Sequence, residues 1–204
     1  MTDTPVQFER DGNLAVLRLA RPQAANALNR PMVAALAEHL DTIAADPSLR
    51  AVVLCGSGKG FCAGADLREL ATCTPAEATE LELAFASVFD RLAALDRPTL
   101  AAIHGYAVGG GFFLSLYCDL RIVATDTQLG FPEAAQQWLP PWALSRLAAW
   151  VGPARAEQLV LVAGRFDASQ GVTWGLVDQL VPREELMTRA VEVARRIAAA
   201  QPPV

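Results

Sequence analysis

Two glycine-rich segments are the places in this sequence where backbone atoms could take part in chemistry. Residues 59–66 (KGFCAGAD) follow an apolar strand-like run, and residues 109–111 (GGG) stand between a predicted strand and an apolar helix. Glycines at the start of a helix leave free backbone N–H groups at its positive end, and without β-carbons a ligand carbonyl can approach closely. One such N–H paired with another from the first segment would form an oxyanion hole, which stabilises negative charge on a carbonyl oxygen.

Other interpretations of the glycines compete with the oxyanion hole. Close packing of a helix on a strand also favours glycine, and the residues alone support both interpretations equally. Nucleotide binding fits less well. A Walker loop needs Ser or Thr after Gly-Lys, but Gly60 follows Lys59, and the third glycine of a dinucleotide fingerprint is replaced by Ala63.

The elements that must position these segments alternate between strands and helices. An antiparallel hairpin is predicted at the start, with its turn at residues 11–13. The remaining pattern predicts an α/β fold with mainly parallel pairing, a largely helical second half and a single domain over residues 1–204. The predicted strands are residues 6–10, 14–19, 51–55, 99–103 and 119–124; the predicted helices are 31–45, 75–95, 140–150, 153–162, 168–174 and 182–200.

Composition excludes several classes of protein. The net charge of -5 argues against a nucleic-acid partner, because phosphate binding needs a basic face. No apolar run reaches the roughly 18 residues of a membrane helix, and the N-terminus lacks the pattern of a signal peptide, so we expect a cytoplasmic protein without a membrane partner. The four cysteines and two histidines show no closely spaced ligand pairs, which predicts reduced, buried thiols rather than a metal site.

Six motifs, taken in order, resemble the crotonase (enoyl-CoA hydratase/isomerase) superfamily. The resemblance runs from about residue 6 to about residue 200 and implies a spiral of ββα units with two roughly perpendicular sheets. It also implies an acyl-CoA thioester as substrate, no metal or redox cofactor, and a homotrimer or hexamer. The motifs are residues 24–29 (AANALN), 58–67 (GKGFCAGADL), 102–111 (AIHGYAVGGG), 118–124 (CDLRIVA), 130–133 (GFPE) and 175–181 (GLVDQLV).

The same resemblance assigns roles to individual residues. The N–H groups of Ala65 and Gly110 would bind the thioester oxygen and stabilise an enolate. The further residues expected to contact substrate are Ala25, Ala63, Gly64, Asp66, Leu67, Gly109, Phe113 and Trp138.

Most of the C-terminal helical segment usual in the family is missing after the last predicted helix, so we expect a more open site or one completed by a neighbouring subunit.

The acid–base residues depart from the family pattern at one position. Hydratases of the family carry a glutamate two residues after the glycine triplet and another in a later Pro-Glu motif. Here the first position is Phe113 and the second is Glu133. One carboxylate suffices to move a proton between two carbons, which favours a 3-enoyl-CoA to 2-enoyl-CoA isomerase. A hydratase or hydroxycinnamoyl-CoA hydratase-lyase is the second interpretation, and a non-catalytic acyl-CoA binder or assembly subunit is the third.

Overall fold

The computed structural model describes residues 4–134 and 141–200. Its larger sheet begins with the predicted antiparallel hairpin, and every later strand joins in parallel. Each parallel partner is reached through a helical crossover, the connection that such pairing requires. In spatial order the strands are β1 (Val6–Asp11), β2 (Leu14–Leu19), β3 (Ala51–Gly56), β4 (Thr99–Ile103), β6 (Leu120–Ala124) and β9 (Gln179–Val181).

A second, three-stranded sheet leads into the glycine triplet, because its first strand ends immediately before residue 109. It consists of β5 (Tyr106–Val108), β7 (Gln128–Phe131) and β8 (Gly164–Asp167), with β7 parallel to β5 and antiparallel to β8. The second half is largely helical, as expected, but it also contains three short strands that the sequence pattern did not predict, β7, β8 and β9. Strands of three or four residues are too short to show an alternating pattern and depend on their partners for pairing.

The longer helices start where local capping residues predict. Asn29 accepts a hydrogen bond from the Met32 N–H at 3.1 Å, and Thr74 and Glu77 form a capping box. The predicted helix 153–162 is α-helical only as far as Gln158, and Leu159–Ala163 form a π-helical turn. The helices are α1 (Arg30–Ala45), α2 (Leu67–Leu70), α3 (Pro75–Ala93), α4 (Gly110–Leu116), α5 (Pro141–Val151), α6 (Pro153–Gln158), α7 (Ala168–Thr173) and α8 (Leu186–Ala200).

The larger sheet is buried on both faces, which explains its nearly continuous apolar strands. Along β2, Leu14 and Val16 face a cluster that includes Val193 and Ala194 of α8, while Ala15 and Leu17 face the main core. The prediction of an α/β fold with mainly parallel strands is thus confirmed. Within the described ranges no helix is long and apolar enough to cross a membrane.

Candidate active site

Two neighbouring parallel strands bring the glycine triplet next to Glu133. Strand β5 ends at Val108, just before the triplet, and β7 ends two residues before Glu133. In their register Val108 lies opposite Gly130, and the Gly109 N–H donates a hydrogen bond to the Gly130 carbonyl at 2.9 Å. Because the carboxyl ends of parallel strands share one edge of the sheet, residues far apart in sequence meet there.

The first glycine segment is fixed from both sides by backbone hydrogen bonds. The Leu28 N–H donates to the Gly64 carbonyl at 2.8 Å, and the Leu28 carbonyl accepts from the Asp66 N–H at 2.9 Å. On the other side, the Val108 N–H donates to the Cys62 carbonyl at 3.0 Å. These bonds tie the segment to the end of β5 and so to the glycine triplet.

The side chain of Asn26 also fixes the first glycine segment and the residues just before it. This side chain is fully buried, and its amide nitrogen donates to the carbonyls of Gly60 and Phe61 at 2.9 and 3.0 Å. It also donates to the Ser57 carbonyl at 2.9 Å.

The Cys62 thiol is equally buried, and burial raises its pKa to about 12, so this thiol is a poor nucleophile near neutral pH.

Two backbone N–H groups, those of Ala65 and Gly110, lie near each other where the glycine segments meet. Gly64 has φ +94°, and an added β-carbon there would lie 2.8 Å from the Val108 carbonyl oxygen, so only glycine permits this approach. An added β-carbon on Gly110 would lie 3.6 Å from the Ala65 nitrogen. Among the hydrogen bonds of residues 4–134 and 141–200, none uses the N–H of Ala65 or of Gly110 as donor. Both donors therefore remain available to a ligand oxygen.

Glu133 is a buried carboxyl group beside these donors. Only 6% of its surface is exposed, and its Oε1 atom lies 2.9 Å from the position of an added β-carbon on Gly109. Within the described part of the chain, its Oε2 atom has no hydrogen-bond partner. Burial, with a smaller contribution from the charge of Glu82, raises the pKa of Glu133 to about 7, against a lowering by its own N–H. A carboxyl group with this pKa can accept or release a proton near neutral pH.

The donors and Glu133 line one cavity of about 320 Å³. This volume lies near the lower end of the range for small-molecule sites. The predicted residues found in its wall are Ala63, Gly64, Ala65, Leu67, Gly109, Gly110, Phe113 and Glu133. Those that sequence reasoning missed are Leu70, Glu82, Phe85, Pro132 and Trp142. For Glu82 a signal was present, since it lies three residues before Phe85, which belongs to the apolar stripe of the predicted helix.

Two predicted contact residues, Ala25 and Asp66, adjoin the wall of the cavity but do not line it. The Ala25 carbonyl accepts a hydrogen bond from the Ala63 N–H at 3.1 Å. Asp66 caps α2 through the Arg68 N–H and accepts from Arg21 Nη2 at 3.1 Å. The structure thus gives both residues a supporting position, and their direct contact with substrate stays a prediction. Trp138 lies outside the described residues.

Phe113 forms an aromatic wall where the hydratase pattern has a glutamate. It is fully buried, with its ring centroid 4.9 Å from that of Phe131 and 5.9 Å from that of Trp142. Phe112 belongs to the core, where its ring lies 5.2 Å from Phe131 and 5.8 Å from Phe166. This position therefore supplies apolar surface and cannot exchange a proton.

Comparison with known proteins agrees with this geometry. The profile of the enoyl-CoA hydratase/isomerase family matches residues 9–204. The chain is 35% identical to the short-chain-enoyl-CoA hydratase of Clostridium acetobutylicum, covering 97% of this chain and 76% of that protein. For the crotonyl-CoA hydratase of Syntrophomonas wolfei the identity is 35%, covering 93% and 74%.

A solved structure of a similar protein has the same fold as this chain. The crystal structure of an enoyl-CoA hydratase from Bacillus anthracis matches with a TM-score of 0.91 and 31% identity, covering 98% of this chain and 78% of that one. The predicted crotonase-like α/β fold with two sheets is thereby confirmed. With this match, the family profile and the ordered motifs in agreement, the chain belongs to the enoyl-CoA hydratase/isomerase family of the crotonase superfamily.

Proposed function

We propose that this protein moves a proton on an acyl-CoA thioester, with Glu133 as the base. The N–H groups of Ala65 and Gly110 bind the thioester oxygen and stabilise the enolate that forms. The observation that carries this proposal is the buried Glu133 carboxyl group, packed against Gly109 in the same cavity as both donors. One such preorganised donor contributes about 2.7–4 kcal/mol to lowering the barrier.

The finer proposal is the conversion of a 3-enoyl-CoA into a 2-enoyl-CoA. The Glu133 carboxylate takes a proton from C2, and the electron pair of that C–H bond delocalises onto the thioester oxygen. The protonated glutamate then delivers the proton to C4, and the double bond settles between C2 and C3. No atom is gained or lost, so one acid–base group is enough. The scheme uses no metal or redox group, and we expect turnover to persist in the presence of EDTA.

The aromatic side chain of Phe113 supports isomerisation over hydration. Concerted hydration needs groups that position and activate a water molecule, and Phe113 places an apolar ring where the hydratase pattern has its first carboxylate. The names of the similar proteins favour a second candidate, hydration of a 2-enoyl-CoA. Offering 3-enoyl-CoA and 2-enoyl-CoA of the same chain length separates the two, since an isomerase forms the conjugated thioester and a hydratase forms a 3-hydroxyacyl-CoA.

The test of this proposal is the substitution Glu133→Gln. We expect isomerase turnover to fall by at least about 100-fold, because the amide cannot take up the proton. Glu80→Gln is the matched control, since Glu80 is exposed and lies on α3. Unchanged turnover in Glu133→Gln would contradict the mechanism. Tight acyl-CoA binding without turnover or proton exchange in the unmodified protein would instead favour a non-catalytic binder.

Assembly and location form a separate part of the proposal. We propose a homotrimer or a dimer of trimers, on the basis of the family to which the chain belongs. We also propose a location in the cytoplasm, on the basis of similarity to bacterial enoyl-CoA hydratases. The mass in solution tests the assembly: a value three or six times that of the chain is expected. A monomer that is fully active and binds CoA esters tightly would contradict the idea that a neighbouring subunit completes the site.

A further inference from the structure

A second carboxyl group, that of Glu82, lines the same cavity as Glu133. It comes from α3, and its neighbours in the wall include Leu70 of α2 and Phe85 of its own helix. Its side chain is half-buried. Because its negative charge contributes to the raised pKa of Glu133, the two carboxyl groups interact across the low-dielectric space where an acyl group would lie.

Trp142 holds the Glu82 carboxylate in place. The indole Nε1–H donates a hydrogen bond to Glu82 Oε2 at 3.2 Å. The indole is itself fixed by edge-on packing, with its ring centroid 5.3 Å from that of Phe89 and 5.9 Å from that of Phe113. A glutamate tethered in this way has already lost part of its rotamer freedom, so it can meet a ligand at a smaller entropic cost.

A carboxylate in this wall discriminates between acyl groups. An alkyl chain that fills the cavity displaces water from the carboxylate and offers no hydrogen bond in return. A hydroxyl group at the same place donates one, and a carboxylate can accept several hydrogen bonds at once. A neutral hydroxyl also enters an apolar cavity at lower desolvation cost than an ammonium group.

We infer that Glu82 is a specificity-determining residue that selects acyl groups bearing a hydroxyl group on the part of the chain beyond the thioester. This inference rests on the proposed acyl-CoA site, and it concerns binding, whereas the proposed function concerns proton transfer. A hydroxyl-bearing acyl-CoA and its alkyl counterpart should therefore differ in affinity even when neither can react.

The test compares two saturated thioesters of the same size, 5-hydroxypentanoyl-CoA and hexanoyl-CoA, by isothermal titration calorimetry. The unmodified protein should bind the hydroxylated ester about ten-fold more tightly or better, as expected for a hydrogen bond to a charged group. The ratio of the two affinities should shrink in Glu82→Gln, whose side chain keeps one carbonyl oxygen as a hydrogen-bond acceptor. It should approach one in Glu82→Met, whose side chain has no oxygen. Glu80→Met, on the exposed face of the same helix, should keep the full ratio.

Several results would overturn the inference. Equal affinities in the unmodified protein would do so, and so would a ratio that survives in Glu82→Met. If Glu82 acts only in proton transfer, its substitution changes turnover, but the two esters bind the unmodified protein equally well. That result also contradicts the inference. If neither ester binds, the acyl-CoA site and the inference fail together. An intact affinity ratio without proton exchange dependent on Glu133 would overturn the proposed function and leave this inference standing.

Discussion

Replacing Glu133 with glutamine should change how the stability of the protein depends on pH. The pKa of Glu133 is raised from the ordinary 4.5 to about 7 in the folded protein, chiefly by burial. Between these values the folded state holds a proton that the unfolded state has lost, so the free energy of unfolding falls as the pH rises through this window. The whole effect amounts to about 3 kcal/mol, from about 1.4 kcal/mol per pKa unit.

Glutamine stays neutral at every pH, so the variant lacks this loss of stability. The unfolding free energy of Glu133→Gln minus that of the unmodified protein should increase by about 2–3 kcal/mol between pH 5 and pH 8. Urea denaturation at four pH values measures this difference, and the subtraction cancels groups that titrate in both proteins. Glu80→Gln, at an exposed position, should give a flat difference. A difference for Glu133→Gln that stays within about 0.5 kcal/mol over this range would refute the raised pKa.

Three further predictions follow from the same contacts. The isomerase kcat/KM should rise with pH to a plateau above about 7, and Glu82→Gln should move the midpoint to lower pH because a charge that raises the pKa of Glu133 is gone. Gly109→Ala should reduce turnover by about ten-fold or more, since its β-carbon would lie 2.9 Å from Glu133 Oε1; Gly152→Ala, also at positive φ but with no atom within 4 Å, should leave turnover unchanged. Asn26→Ala should lower the free energy of unfolding by about 2–4 kcal/mol in urea titrations, because three backbone carbonyls lose their donor; a loss below about 0.5 kcal/mol would show that water replaces the amide.

Local signals in the sequence were sufficient to predict the longer helices and strands. The capping pair of Thr74 and Glu77 marks the start of α3, and the apolar run of β3 indicates a strand buried on both faces. The glycine triplet begins α4 as predicted, and its first member has the positive φ that favours glycine. These features depend on neighbours in sequence or on one residue's own geometry.

Other features depend on distant partners and could not be predicted in this way. Strands β5, β7 and β8 have only three or four residues each and exist because they pair with one another. The place of Glu82 in the cavity wall depends on packing between α3 and the indole of Trp142, which is 60 residues away in sequence. Its spacing of three residues from Phe85 places Glu82 beside the apolar stripe of α3, but nothing local shows that this part of the helix borders a cavity.

Exchange of the C2 protons of an acyl-CoA in deuterated water tests the central claim most directly. The protein is incubated in D₂O with hexanoyl-CoA, which can form an enolate but can neither isomerise nor add water, and deuterium is counted by mass spectrometry. If Glu133 and the N–H groups of Ala65 and Gly110 generate a thioester enolate, the unmodified protein incorporates deuterium at C2. Glu133→Gln should then slow incorporation by at least about 100-fold while its affinity for the ester changes little. Incorporation at an equal rate in both proteins, or in neither, would contradict the account.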